Sequence, residues 1–121
     1  MPWVCSQKLI SNYPRKDYFA LKNEISQNLK CNLSSIYVGS GASGIIDIIC
    51  SYNSFKKGTI LVPELSFPLF NYYSRKYFSK VIEYNLNEKF YTINWENLFY
   101  KLSLNPTLIF ICNPNNPTGI L

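Results

Sequence analysis

Thr107-Leu108-Ile109-Phe110-Ile111-Cys112 runs straight into Asn113-Pro114-Asn115-Asn116-Pro117-Thr118-Gly119, and the reading of this junction decides the fold. An unbroken run of apolar and β-branched residues reads as a strand buried on both faces of a parallel sheet. A rigid polar turn at the carboxyl end of such a strand is where open α/β sheets gather their ligand groups. Pro114 and Pro117 fix the turn. Asn113, Asn115 and Asn116 arm it with amide donors and acceptors.

Working back from strand 107–112, Asn105-Pro106 ends a helix that Asn94 caps and that carries Trp95, Leu98, Phe99 and Leu102 at helical spacing. Residues 81–86 form a strand. Residues 66–78 form a helix with Leu69, Phe70, Tyr73 and Tyr77 on one side, and residues 59–63 form another strand. A buried helix spans about residues 43–54, after a short strand at Ile36-Tyr37-Val38. Tyr18, Leu21, Ile25 and Leu29 make an apolar stripe over residues 18–30, with Asp17 as cap, Lys30 at the negative end and Asn32 as the stop. Residues 1–16 are expected to be an irregular N-terminal arm, extended or turning at Tyr13-Pro14. Strands alternating with helices predict an α/β fold in three layers, a mostly parallel sheet with flanking helices.

Composition narrows the function. At 121 residues the chain has room for one domain, and 47% hydrophobic with 16% charged residues places it among globular chains. The net charge of +5 is dispersed, with adjacent basic pairs at Arg15-Lys16, Lys56-Lys57 and Arg75-Lys76, so no stripe points to nucleic acid. The modest positive field favours anionic small molecules. The four cysteines include no Cys-x-x-Cys and the chain has no histidine, which argues against a zinc site and removes Ser-His-Asp and Cys-His catalysis. Cys50 and Cys112 fall in apolar runs and are expected as buried thiols in a reducing cytoplasm. Neither a leader peptide nor a membrane span is expected.

Gly39-Ser40-Gly41-Ala42-Ser43-Gly44 matches the Gly-x-Gly-x-x-Gly dinucleotide fingerprint, and Glu64 stands where an acidic residue would meet a ribose hydroxyl. That pattern admits a nicotinamide-binding Rossmann domain. It equally admits a simple phosphate cradle or a plain turn. The N–H groups at residues 42–45 open a helix N-terminus that favours an anion, and Ser43 adds a hydroxyl.

The terminal turn resembles the Asn-Pro-Asn-Asn-Pro-Thr-Gly signature of fold-type I, class I/II pyridoxal-phosphate aminotransferases. In order and spacing, four further segments resemble the histidinol-phosphate aminotransferases most: Asn12-Tyr13-Pro14, the loop from Gly39 to Gly44, Ser66-Phe67-Pro68, and strand 81–86. The resemblance covers about residues 9–121. It implies that residues 17–121 are part of the large domain that binds pyridoxal 5'-phosphate. It implies that Ala42, Ser43 and Gly44 hold the cofactor phosphate, that Phe67 stacks on the ring, and that Asn116 donates its amide to the ring's phenolic oxygen. Tyr13 would reach the phosphate of a neighbouring subunit in a homodimer. Read without the family, Phe67 is first a core aromatic, Asn116 a turn residue and Tyr13 a packing residue, and Ser43 can be a helix cap.

The chain departs from the family at Ser43-Gly44, where Asp-Glu is frequent, at Phe67, often tyrosine, at Leu65, often proline, and at Phe78, where glycine is expected. A threonine-phosphate decarboxylase is therefore the alternative within the family. The family's cofactor-binding lysine and its substrate-carboxylate arginine follow the segment matched here. The resemblance thus implies an N-terminal portion of an enzyme that moves an amino group between a small amino acid or amino-phosphate and a 2-oxo acid, inactive by itself and with no catalytic residue of its own.

Overall fold

The computed structural model describes residues 17–55 and 58–121. Two compact units divide the chain, Met1–Gly39 and Ser40–Leu121. The expected arm at residues 1–16, and Tyr13 with it, lies outside the described residues.

In the first unit, Phe19–Leu29 forms helix α1 and Leu33–Ser35 a 3-10 turn. The Asp17 carboxylate accepts the Phe19 N–H at 3.3 Å, but the N-cap position falls one residue later than expected, at Tyr18, whose side chain makes no cap. The helix stops at Lys30, whose φ of 50° is left-handed, two residues before the expected Asn32. No residue of α1 is buried, so its apolar stripe packs into no core among the described residues. Ile36-Tyr37-Val38 is not a strand: the backbone at Ile36 is extended, but no ladder reaches it among the described residues. An extended segment becomes a strand through its partner's hydrogen bonds, and sequence cannot supply the partner.

The second unit runs α2 (Gly41–Ser54), β1 (Thr59–Pro63), α3 (Pro68–Tyr77), β2 (Lys80–Tyr84), α4 (Trp95–Leu102) and β3 (Leu108–Ile109). The sheet order is β2-β1-β3, and both pairings are parallel. Central β1 sets the layers. Ile60 and Val62 point to one face, with Ile46 and Cys50 of α2 and half-buried Phe70, Tyr73 and Tyr77 of α3. Leu61 points to the other, with Tyr84, Leu86 and Leu98 of α4. Residues 60 to 62 are each 0% exposed, which is why this stretch reads as continuous apolar rather than alternating.

Local chemistry sets the boundaries. Helix α3 begins at Pro68 and not at Ser66, because proline suits the first helical position while holding Phe67 before it extended, at ψ 117°. Helix α2 begins at Gly41, two residues before the expected Ser43. Gly41 has φ +65°, a conformation that costs an L residue roughly 1–2 kcal/mol. Asn94 caps α4 as expected, its side chain accepting the Asn97 N–H at 3.0 Å.

Strand β2 ends at Tyr84, and Leu86 makes an isolated antiparallel bridge with Ile93. Strand β3 is much shorter than the expected 107–112. The Phe110 N–H bonds to the Leu61 carbonyl at 2.9 Å. The next bond in this register would run from residue 63 back to the Phe110 carbonyl, and Pro63 has no N–H to give. The Tyr84 hydroxyl takes that carbonyl instead, at 3.1 Å, and Ile111 turns out to solvent.

Gly58 is required where β1 and the segment entering β3 first meet. A Cβ there would lie 2.5 Å from Thr107 Cβ, a clash that no rotation of Thr107 removes. Gly58→Ala is expected to lower stability by about 1–3 kcal/mol, the usual cost of overpacking. The measurement is the urea midpoint, and Thr107→Gly in the same chain should restore part of the loss.

Candidate functional site

A pocket of about 660 Å³ opens at the carboxyl ends of β1 and β3. One wall is the segment leaving β1, with Glu64, Ser66 and Phe67. The facing wall is the turn after β3, with Asn116, Pro117 and Thr118, and Tyr91 closes a third side. This is the crevice that open parallel sheets use for ligands.

The first wall is tied to the sheet. The Glu64 N–H extends the β1–β2 ladder to the Tyr84 carbonyl at 3.0 Å. The half-buried Phe67 ring meets Phe70 edge-on with centroids 5.8 Å apart. Phe70 in turn stacks on Phe110 of the β3 segment at 4.7 Å. Phe67 is therefore a core aromatic that also walls the pocket. Ser66 contributes a buried hydroxyl with no hydrogen-bond partner among the described residues.

The second wall is a closed turn. The Asn115 N–H bonds to the Ile120 carbonyl at 2.8 Å, and the Gly119 N–H bonds to the Asn115 carbonyl at 2.6 Å. The Asn113–Pro114 and Asn116–Pro117 peptide bonds are cis. Cys112 is half-buried and not the enclosed thiol expected. Its apolar run ends at Phe110, so its sulfur serves the turn, accepting the Asn116 N–H at 3.4 Å and donating to the Pro114 carbonyl at 3.5 Å. Asn116 itself is exposed on the pocket. Asn115 is 4% exposed, and its amide Nδ2 donates to the Leu65 carbonyl and to Thr118 Oγ1, each at 3.2 Å.

Ala42, Ser43 and Gly44 stand apart from the pocket lining, in the first turn of α2. The Gly44 N–H is held by the Ser40 carbonyl at 3.4 Å, so the expected set of free donors at 42–45 narrows to those ahead of it. Ser40 makes no side-chain cap and leaves them to other partners. Helix α2 packs on β1 and joins it through a short connection, so it runs antiparallel to β1. Its N-terminus therefore lies at the sheet end that holds the pocket. Phe67 and Asn116 are brought together; the glycine loop shares their end of the sheet.

Two residues of the site escaped the sequence reading, Tyr91 in the pocket lining and Asn115 behind Asn116 in the turn. Asn115 was one of three similar asparagines. Tyr91 sits in the polar connection 87–93 with φ +54°, held by its N–H to the Asn87 carbonyl at 2.7 Å. Asn87 Oδ1 also accepts the Lys89 and Phe90 N–H groups, a turn chemistry that Asn87 in a polar stretch could have signalled. Among the described residues no group of three His, Cys, Asp or Glu lies together as metal ligands, and no helix is long and apolar enough to cross a membrane.

Burial pushes the Cys50 thiol from 9.0 up to about 11, with Asp47 adding to it and the neighbouring Ser74 hydroxyl opposing it. Burial likewise pushes the Tyr84 phenol from 10.0 up to about 12, with Cys112 adding to it. Both groups are neutral when protonated, and the folded state holds its protons longer than the unfolded one. Stability is therefore full below pH 9 and falls as the pH rises from 9.0 to about 11 for Cys50 and from 10.0 to about 12 for Tyr84. Urea midpoints measured across that range should decline, and Cys50→Ala should flatten the lower part of the decline.

The sequence profile described as "Aminotransferase class I and II" matches residues 6–121. A histidinol-phosphate aminotransferase of Pelagibacter ubique is 34% identical over 92% of this chain and 30% of its own length. The solved histidinol-phosphate aminotransferase of Clostridium acetobutylicum superposes with a TM-score of 0.75 at 29% identity, over 94% of this chain and 32% of that one. The L-threonine-O-3-phosphate decarboxylase of Porphyromonas gingivalis superposes with a TM-score of 0.66 at 24% identity, over 89% of this chain and 32% of that one, a likeness of fold. The chain spans about a third of the length of the relatives it matches. The dinucleotide reading loses its support, since among the described residues no strand precedes the glycine loop, and Glu64 lines the Phe67 pocket.

Proposed function

The chain belongs to the aminotransferase class I and II family, and from that premise we propose that its pocket binds pyridoxal 5'-phosphate as part of an enzyme of the histidinol-phosphate aminotransferase type. The observation that carries this reading is the facing of Phe67 and Asn116 across one pocket at the ends of β1 and β3. A flat ring needs an aromatic surface and an amide at its edge, and the unpartnered Ser66 hydroxyl adds a polar contact within the same pocket. The residues present fit such a group.

In this reading Phe67 stacks on the ring and Asn116 donates its amide to the phenolic oxygen. Ala42 and Ser43 hold the phosphate through backbone N–H groups and the Ser43 hydroxyl, and Gly44 closes that cradle. Bound there, the cofactor supplies an electron sink for bonds at an amino-acid α-carbon. The chain's own groups bind and orient it. The substrate is a small amino acid or amino-phosphate with a 2-oxo acid as the other partner. Threonine-phosphate decarboxylation is the weaker alternative, because its support is a likeness of fold. Residues 17–121 are taken as part of the cofactor-binding large domain. A homodimer, with Tyr13 of one copy reaching the phosphate held by the other, and a cytoplasmic setting complete the proposal.

Titration with pyridoxal 5'-phosphate, followed by its visible absorbance and by thermal shift, tests the reading, with NAD as comparison. Binding of pyridoxal 5'-phosphate and not NAD is expected. Asn116→Ala removes a hydrogen bond to a charged group, worth about 1.5–3 kcal/mol, and should weaken binding roughly ten- to hundredfold. Phe67→Ala should weaken it as well. Binding of NAD alone overturns the proposal.

A further inference from the structure

We propose that Asn115 is a positioning residue: its buried side-chain amide clamps the two walls of the pocket together and sets the spacing between Phe67 and Asn116. The binding part of this inference rests on the cofactor reading above; the clamp itself does not.

The geometry is specific. Asn115 is 4% exposed, and a buried amide is costly unless its polar atoms are bonded. Its Nδ2 spends both protons, one on the Leu65 carbonyl across fifty residues of sequence and one on Thr118 Oγ1 three residues on. Leu65 lies two residues before Phe67, in the wall that leaves β1. Asn115 directly precedes Asn116, in the wall that follows β3. One nitrogen therefore spans the pocket's two sides from behind, without lining it.

The amide's orientation is forced. Oδ1 is buried with no hydrogen-bond partner among the described residues. Reversing the side chain would set that oxygen against the Leu65 carbonyl and leave two acceptors facing each other. Main-chain bonds from Asn115 to Ile120 and Gly119 hold its backbone while the side chain reaches out. Aspartate has nearly the same shape but, ionised, offers no donor. It would therefore replace an attraction between the walls by a repulsion.

Asn115→Asp in the full chain is the test, read in two ways. Without ligand, amide hydrogen exchange should quicken together at residues 65–67 and at residues 116–120, beyond any change in global stability taken from the urea midpoint. With pyridoxal 5'-phosphate, the dissociation constant at pH 8 should rise at least tenfold, and the visible circular dichroism per bound molecule at saturation should change, because that signal reads how the ring is held. If the Asp variant does not fold, Asn115→Ser, too short to span to Leu65, takes its place with the same expectations. Should the wild-type chain bind the cofactor and the variant bind it with the same constant and dichroism, the positioning role is overturned. Should the wild-type chain not bind it, the functional reading fails and exchange alone decides: coupled loosening of both walls supports the clamp, and unchanged exchange at residues 65–67 overturns it.

Discussion

The second unit depends on one constraint, that β1 is hydrogen-bonded on both edges and buried on both faces. Its pairing with β2 and β3 leaves Ile60, Leu61 and Val62 without solvent. Each face then requires a helical layer, α2 and α3 on one side and α4 on the other. A strand covered in this way has one place to present polar groups, beyond its carboxyl end. The chain puts a pocket there because the ladder stops. Pro63 ends the donor series, Tyr84 takes over the Phe110 carbonyl, and the backbone on either side is released into the two pocket walls.

The pocket walls owe their order to neighbours that touch no ligand. Phe67 is held through Phe70 and Phe110, so the ring on one side is packed against the root of the other. Cys112 and Asn115 brace the turn beneath Asn116. Ligand groups placed on rigid supports are better organised than groups on free loops, since the cost of ordering them is met on folding rather than on binding. Surface ion pairs contribute less. Arg75–Glu83 and Lys76–Asp47 link α3 to β2 and to α2 through exposed side chains, where solvent screens them.

Much of this was legible in the sequence because it rests on local chemistry. Strand 59–63 and the Asn94 cap follow from an apolar run and a capping residue, whereas the placing of Phe67 and Asn116 at one site was implied only by the resemblance. What escaped depends on partners distant in sequence. Ile36-Tyr37-Val38 has strand composition but no ladder among the described residues. The short β3 follows from a proline on the neighbouring strand, nearly fifty residues away. Cys112 looks apolar in its run, yet the run turns outward two residues before it ends. Asn113, Asn115 and Asn116 are alike in sequence, and only the fold decides which is buried and which faces the pocket. Tyr91 arrives through a left-handed backbone position that periodicity does not register.

The Asn115–Leu65 hydrogen bond also has a consequence in time. Its two ends are fifty residues apart, so it closes a long loop, and long-range closure is among the slower and costlier steps of folding. During synthesis the segment from Glu64 to Phe67 leaves the ribosome well before the turn that faces it. A nascent chain that has finished β1 and β2 still lacks α4, β3 and the facing wall, and so has no cavity. The pocket is among the last things this stretch of polypeptide makes, and it comes into being once residues 115–118 have emerged.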